Sequence, residues 1–138
     1  MASISQALVT LIGSLSGVTA IIGTSPLRFY PVRLVGDPPV YPQVTYQRID
    51  DVNSYSHSGF SGLVNARFQL TMWTRKYSDG ETLEAVLEQP PTAGINGYRG
   101  TVSSVKIDRI FLQSGITDFE ETTQIHQRTL DLLIAYVA

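Results

Sequence analysis

LVNARFQLTMW, which runs from Leu63 to Trp73, sets Val64, Ala66, Phe68, Leu70 and Met72 on one side of an extended chain. Asn65, Arg67, Gln69 and Thr71 fall on the other. That period of two reads as a β-strand with one face in a core. An antiparallel sheet accommodates such a strand, because only one of its faces must be packed. The opposite face is then wet, or covered by a neighbouring subunit.

Upstream, Val44, Tyr46 and Arg48 share one face of a second strand, while Gln43, Thr45 and Gln47 face the other way. Between the two strands lies a polar, glycine-bearing segment, Asp50 to Gly62, longer than a tight hairpin needs. It reads as a long loop. Five of the seven prolines fall between Pro26 and Pro42, so that stretch is extended and irregular, with at best an edge strand around Leu27 to Val35.

The first 27 residues carry no Lys, Arg, Asp or Glu, yet they do not read as a signal or a membrane span. A basic leader is missing, and Ser3, Ser5, Gln6, Thr10, Gly13, Ser14, Ser16 and Gly17 interrupt the apolar run. Ile4, Ala7, Leu8, Leu11, Ile12 and Leu15 instead recur at helical spacing. Ser3 and Gln6 form a capping box at the start, and Ser16-Gly17 is expected to break the helix before a short turn ending near Gly23. A second capping box, Ser78 with Glu81, opens a helix whose stripe is Leu83, Val86 and Leu87 and which Pro90-Pro91 ends.

Farther on, "PPTAGINGYRG" reads as a loop, and Thr101 to Gln113 reads as a strand. Val105, Ile107 and Phe111 point one way and Ile110 and Leu112 the other, so a bulge is expected near Asp108-Arg109. The last segment, "TTQIHQRTLDLLIAYVA", fits either period: Leu130, Leu132, Ile134 and Tyr136 alternate, while Leu130, Leu133, Ile134 and Val137 suit a helix.

The 138 residues suffice for one domain spanning 1–138 with its own core, and 43% hydrophobic content excludes a disordered chain. A net charge of -2 leaves no basic field to grip nucleic acid. The absence of cysteine removes disulfides, thiol nucleophiles and thiolate metal sites.

Catalytic and ligand motifs fail one by one. "SHSGFSG" places Leu63 where a nucleophile elbow requires glycine. His57 and His126 lack a third metal ligand. "DDVNSYSHSGFSG" holds Ser56 where a calcium loop needs glycine, and Gly62 where it needs the bidentate Glu. "GINGYRG" lacks the lysine of a phosphate loop. No enzyme, cofactor or metal is expected. The acidic residues Asp118, Glu120 and Glu121 read as a solvated turn, with a channel lining as the sharper alternative.

The segments "YPQVTYQRIDD", "GFSGLVNARFQLTMWTRKYSDGETLEAVL" and "HQRTLDLLIAYV" together resemble the tail-completion proteins of long-tailed bacteriophages, also called tail terminator or head-tail joining proteins. The proline-rich run from Pro26 to Pro42 is longer than that family's usual connection. The resemblance implies that the final segment is a strand. The expected fold is therefore α+β: a mainly antiparallel sheet of about four strands, two packed helices and a long β-hairpin loop.

The resemblance also implies a structural virion protein that forms a homohexameric ring. Such a ring caps the tail tube and joins it to the head connector. Its implied partners are its own copies, the tail-tube protein and the head-tail connector, with DNA passing through the lumen unbound and no membrane involved. Assembly in the host cytoplasm follows, with the product at the head-proximal end of the virion tail. The alternatives are another neck or tail ring component, either connector or tube protein, or a small-ligand-binding domain. Within the ring reading, the loop supplies contacts to a subunit or partner through Asp50, Asp51, Tyr55, His57 and Phe60.

Overall fold

The computed structural model describes residues 3–23, 27–34, 36, 39–56, 59–91, 93–120 and 124–137. Three helices, α1 (Ile4–Gly13), α2 (Ser16–Ile22) and α3 (Tyr77–Leu87), lie with six strands. The strands are β1 (Phe29–Pro31), β2 (Gln43–Ser56), β3 (Gly59–Thr74), β4 (Gly100–Val102), β5 (Val105–Glu120) and β6 (Ile125–Val137). They form one sheet in the order β1-β2-β3-β6-β5-β4. The class is α+β, as expected, but the sheet has six strands where about four were expected, and it is mixed, because β1 runs parallel to β2.

The two extra strands are short, and each sits at an edge. β1 lies inside the proline-rich stretch, ends at Pro31 and pairs only with Val44 to Tyr46. Proline lacks the donor that a central strand needs, so an edge is where such a segment belongs. β4 comes from the expected single strand Thr101 to Gln113, which folds back on itself at Ser103 and Ser104, both at positive φ.

The largest departure concerns Asp50 to Gly62. Expected as a loop, it is strand on both sides: β2 continues to Ser56 and β3 begins at Gly59, with Asp51 opposite Ala66 and Tyr55 opposite Phe60. Asp50 to Gly62 carries no hydrophobic alternation by which a strand is recognised. β6 reaches only as far as Leu63, which it meets at Val137.

Register shifts lie between Ile107 and Arg109, where a bulge was expected, and also between Arg48 and Asp50, Asn53 and Tyr55, and Ser114 and Thr117. The ambiguous final segment is strand β6, antiparallel to both β3 and β5. Its buried residues Leu130, Leu132 and Ile134 meet Leu70, Phe68 and Ala66, so the period of two serves the central position.

All three helices contribute to one core with the strand faces carrying Val44, Phe68, Leu70, Met72, Ile107, Ile110 and Leu132. α1 begins with the expected reciprocal cap, Ser3 Oγ accepting from Gln6 N at 3.2 Å and Gln6 Oε1 accepting from Ser3 N at 2.9 Å. The break falls at Ser14-Leu15, two residues before the expected Ser16-Gly17, and the segment after it is a helix, giving three helices rather than two. Gly17 sits within α2, where a Cβ would lie 3.0 Å from a Val86 methyl, so its missing side chain admits α3.

The second expected capping box is absent. α3 starts at Tyr77 with Lys76 as an uncapped N-cap, which places Ser78 inside the first turn, where its carbonyl accepts from Thr82 Oγ1 at 2.9 Å. After α3 the chain closes on itself: Ile95 N donates to the Leu87 carbonyl and Asn96 N to the Gln89 carbonyl, satisfying the helix end. Gly94 is required there, because a Cβ would come within 2.2 Å of the Val86 carbonyl oxygen and 2.5 Å of that of Gln89. No single helix among the described residues is long and apolar enough to cross a membrane.

Candidate assembly surface

With the helices covering one face, the other face of the sheet is left with the residues that alternate away from the core. Register places Thr45 beside Thr71 and Thr71 beside Thr129. Gln47, Gln69, Asp131 and Gln113 form the next row, and Asp50, Arg67, Leu133 and Phe111 the one after. Amides and hydroxyls dominate. Trp73, at one end, donates its indole N–H to Thr45 Oγ1 at 3.0 Å.

Arg67 and Asp131, both on this face, form an ion pair. Arg67 Nη2 donates to Asp131 Oδ2 at 2.9 Å, and that bond raises the guanidinium's already high pKa. A shallow cavity of about 240 Å³ beside this pair is lined by Arg67, Gln113, Asp131, Leu132 and Leu133. Near the start of the ribbon, Arg48 bridges two strands: it meets Asp51 at 2.6 Å and the Tyr136 hydroxyl at 2.8 Å.

The expected contact residues divide accordingly. Asp50 and Asp51 are exposed on β2; Asp51 is engaged by Arg48, and Asp50 lies opposite Arg67 in register. Tyr55 and Phe60 are described by backbone alone, as partners across the ribbon, and His57 lies outside the described residues. Asp118 and Glu120 belong to β5 by backbone, which extends the strand through the expected turn; Glu121 lies outside the described residues. His126 lies between rings, 5.8 Å from Tyr77 and 4.7 Å from Phe119.

A second polar cluster joins α3 to β6, and sequence patterning did not single it out. Arg128, opposite Met72 on the helix-covered face, is paired with Glu84 of α3 and stands 5.6 Å from the Tyr77 ring centroid. Hydrogen bonding to Glu84 raises its pKa most, over the opposing effect of burial. Glu88, one turn on and exposed overall, is raised above its ordinary pKa by slight desolvation first, then by the hydrogen bond and charge of Glu84, against the opposing charge of Arg128. Gly80 packs beside the Arg128 stem, at a distance where a Cβ would make ordinary contact at 3.6 Å. A glutamate four positions from another on a helix, with an arginine two residues before the alternating Leu130, Leu132 and Ile134, was the available signal.

Among the described residues, no three His, Cys, Asp or Glu side chains gather in a metal-binding arrangement. Among the described residues the geometry is a sheet with one polar face that no helix covers, a two-stranded ribbon and two long strand edges paired on one side only. Comparison with known proteins adds the family. The model of the family "Tail completion protein gp17" matches residues 6–89, more than half of the chain, and the chain belongs to that family. No curated protein sequence matches it significantly. Eight solved chains match in fold. One, from a structure described as "Virion of native gene transfer agent (GTA) particle", is 13% identical with a TM-score of 0.70, over 99% of this chain and 92% of that one. The chain is thus a member of the tail-completion protein family, and the virion structure it resembles shares its fold.

Proposed function

We propose that residues 1–138 act as a single terminator domain that assembles as a homohexameric ring, caps the tail tube at its head-proximal end and joins it to the head connector. The observation that carries this reading is membership of the tail-completion family over residues 6–89, the span that holds α1, α2, the β2–β3 ribbon and α3. A ring of identical subunits presents two chemically different faces, one to end a tube and one to begin a joint.

In this reading the segment from Asp50 to Gly62, through Asp50, Asp51, Tyr55, His57 and Phe60, touches a neighbouring subunit or partner. DNA crosses the lumen without specific binding, which suits a chain of net charge -2. The protein performs no turnover and joins the virion in the host cytoplasm.

Electron microscopy of the purified protein and of tails made without it tests the assignment. Discrete six-fold rings, together with tails that are of normal length yet fail to join heads, are the expected results. Long stacked filaments would assign the chain to the tube instead, and tails lacking it that still join heads would reject the terminator role.

A further inference from the structure

Two long stretches of strand are paired on one side only. β1 covers β2 only from Val44 to Tyr46, so among the described residues β2 has no second neighbour from Gln47 to Ser56. On the opposite side of the sheet, β4 covers Val105 to Ile107 of β5, and Gly97 and Tyr98 bond Ile110. From Phe111 to Asp118, β5 pairs with β6 alone. Ile49 and Val52 on the first edge and Phe111 on the second are among the exposed large apolar residues, at 42%, 59% and 47%. Open edges flanked by apolar side chains invite pairing with another chain.

The geometry points to a second copy of this chain as that partner, with the Gln47–Ser56 edge of one subunit pairing to the Phe111–Asp118 edge of the next. The inference rests on the ring reading above. Polarity agrees first. β3 is antiparallel to β2, β6 to β3 and β5 to β6, so β5 runs opposite to β2. A rotation that keeps strand direction therefore brings the two edges together antiparallel, continuing the alternation already present.

Stagger agrees next. Register puts the β2 edge in the half of the sheet toward the ribbon, and the β5 edge in the half toward Ile125. Placed level, they overlap only near the row of Gln47 and Gln113. Strands in closed barrels tilt by about 35–45°, which over the four strands β2, β3, β6 and β5 offsets successive subunits by about four to six residues. That offset brings most of one edge opposite the other.

Its direction follows from the chain's hand. β3 and β5 are parallel and are joined through α3 on the covered face, a crossover that is right-handed in nearly all sheets. In this pairing the polar, helix-free face lies toward the lumen and the helices outside, and the tilt common to barrels then shifts the neighbour's β5 toward the ribbon end of β2. Gln113 arrives level with Val52, or one pair beyond it on the same face.

The chain contains no cysteine, so cross-linking tests the pairing cleanly. Particles are assembled with V52C, Q113C, the double variant V52C/Q113C, or Q113C with E81C on α3, and treated with a short bismaleimide. A ladder of covalent multimers from the double variant, with monomers from either single variant and from the E81C control, is the expected result. A ladder that stops at dimers with V52C alone would mean symmetric pairing of β2 with β2, and overturns the inference. Monomers from the double variant in particles whose micrographs still show the ring overturn this pairing and leave the ring reading standing. Particles that complete and join heads without any ring of this chain overturn both.

Discussion

Glu84→Gln is the most informative single change, because it removes one charge from the contact between α3 and β6 while preserving its size. Arg128 and Glu84 are only 20% and 14% exposed at the side chain. Arg128 Nη1 is already buried without a hydrogen-bond partner among the described residues. Removing one member of a fully buried pair costs about 3–5 kcal/mol, and partial solvent access here reduces that to about 2–3 kcal/mol. For a domain of this size that corresponds to a fall of about 6–10 °C in Tm.

The Arg67–Asp131 pair provides the comparison, since Arg67 is 49% exposed and Asp131 24%. Asp131→Asn should cost less than about 1 kcal/mol. Urea unfolding followed by tryptophan fluorescence and circular dichroism measures both, and the double variant Glu84→Gln/Arg128→Met should recover part of the loss by removing the stranded cation. Equal effects of Glu84→Gln and Asp131→Asn, or a double variant whose losses simply add, would refute the reasoning.

Other expectations follow from the same contacts. Gly94→Ala places a methyl against two carbonyl oxygens that no side-chain motion can clear, so thermal unfolding should show a loss of at least about 3 kcal/mol. Ser3→Ala removes half of a reciprocal cap and should cost about 1 kcal/mol, read as a shift in the denaturation midpoint without a change in slope. Val52→Lys, at an exposed position, should leave monomer stability within about 0.5 kcal/mol of the parent while reducing ring formation in light scattering. Glu88 holds its proton to higher pH when folded than the ~4.3 of an unfolded glutamate, so its share of stability is present below that pH and is lost as pH rises through the folded value. Glu88→Gln should therefore flatten the pH dependence of unfolding above about pH 4.3, and an unchanged profile would count against that assignment.

The parts of the fold readable from sequence were those where one face meets the core. Val64 to Met72 gave β3 because every second residue is buried, and Ile4 to Ile12 gave α1 through both its stripe and its cap. The ribbon was missed because pairing there is held by backbone bonds, and side-chain polarity says nothing about those. Ser78 with Glu81 misled, since the motif is local while the start of α3 is set by where Gly80, Leu83 and Leu87 meet the sheet. The edges were also hidden, because strand order depends on β6 entering between β3 and β5, a long-range event no local pattern records. Asp50 and Asp51 were expected in a contact loop and lie exposed within β2, and the Arg128–Glu84 contact required knowing which strand lies under α3.

That same strand order bears on how the chain reaches its shape. The main sheet consists of two local hairpins, β2–β3 and β5–β6, each closed by neighbours in sequence, and a seam at β3–β6 that joins Leu63 to Val137 and Thr74 to His126. Local hairpins form within microseconds, while a seam of such large sequence separation must wait for the loop through α3 and β4 to close. Until the seam zips, β3 and β6 expose apolar faces and open edges, so this is the interval in which a newly made chain is most exposed to pairing with the wrong copy. A lesion at the seam, such as a proline in place of Leu132, should therefore show itself during synthesis, as aggregation of the nascent protein, before any virion is built.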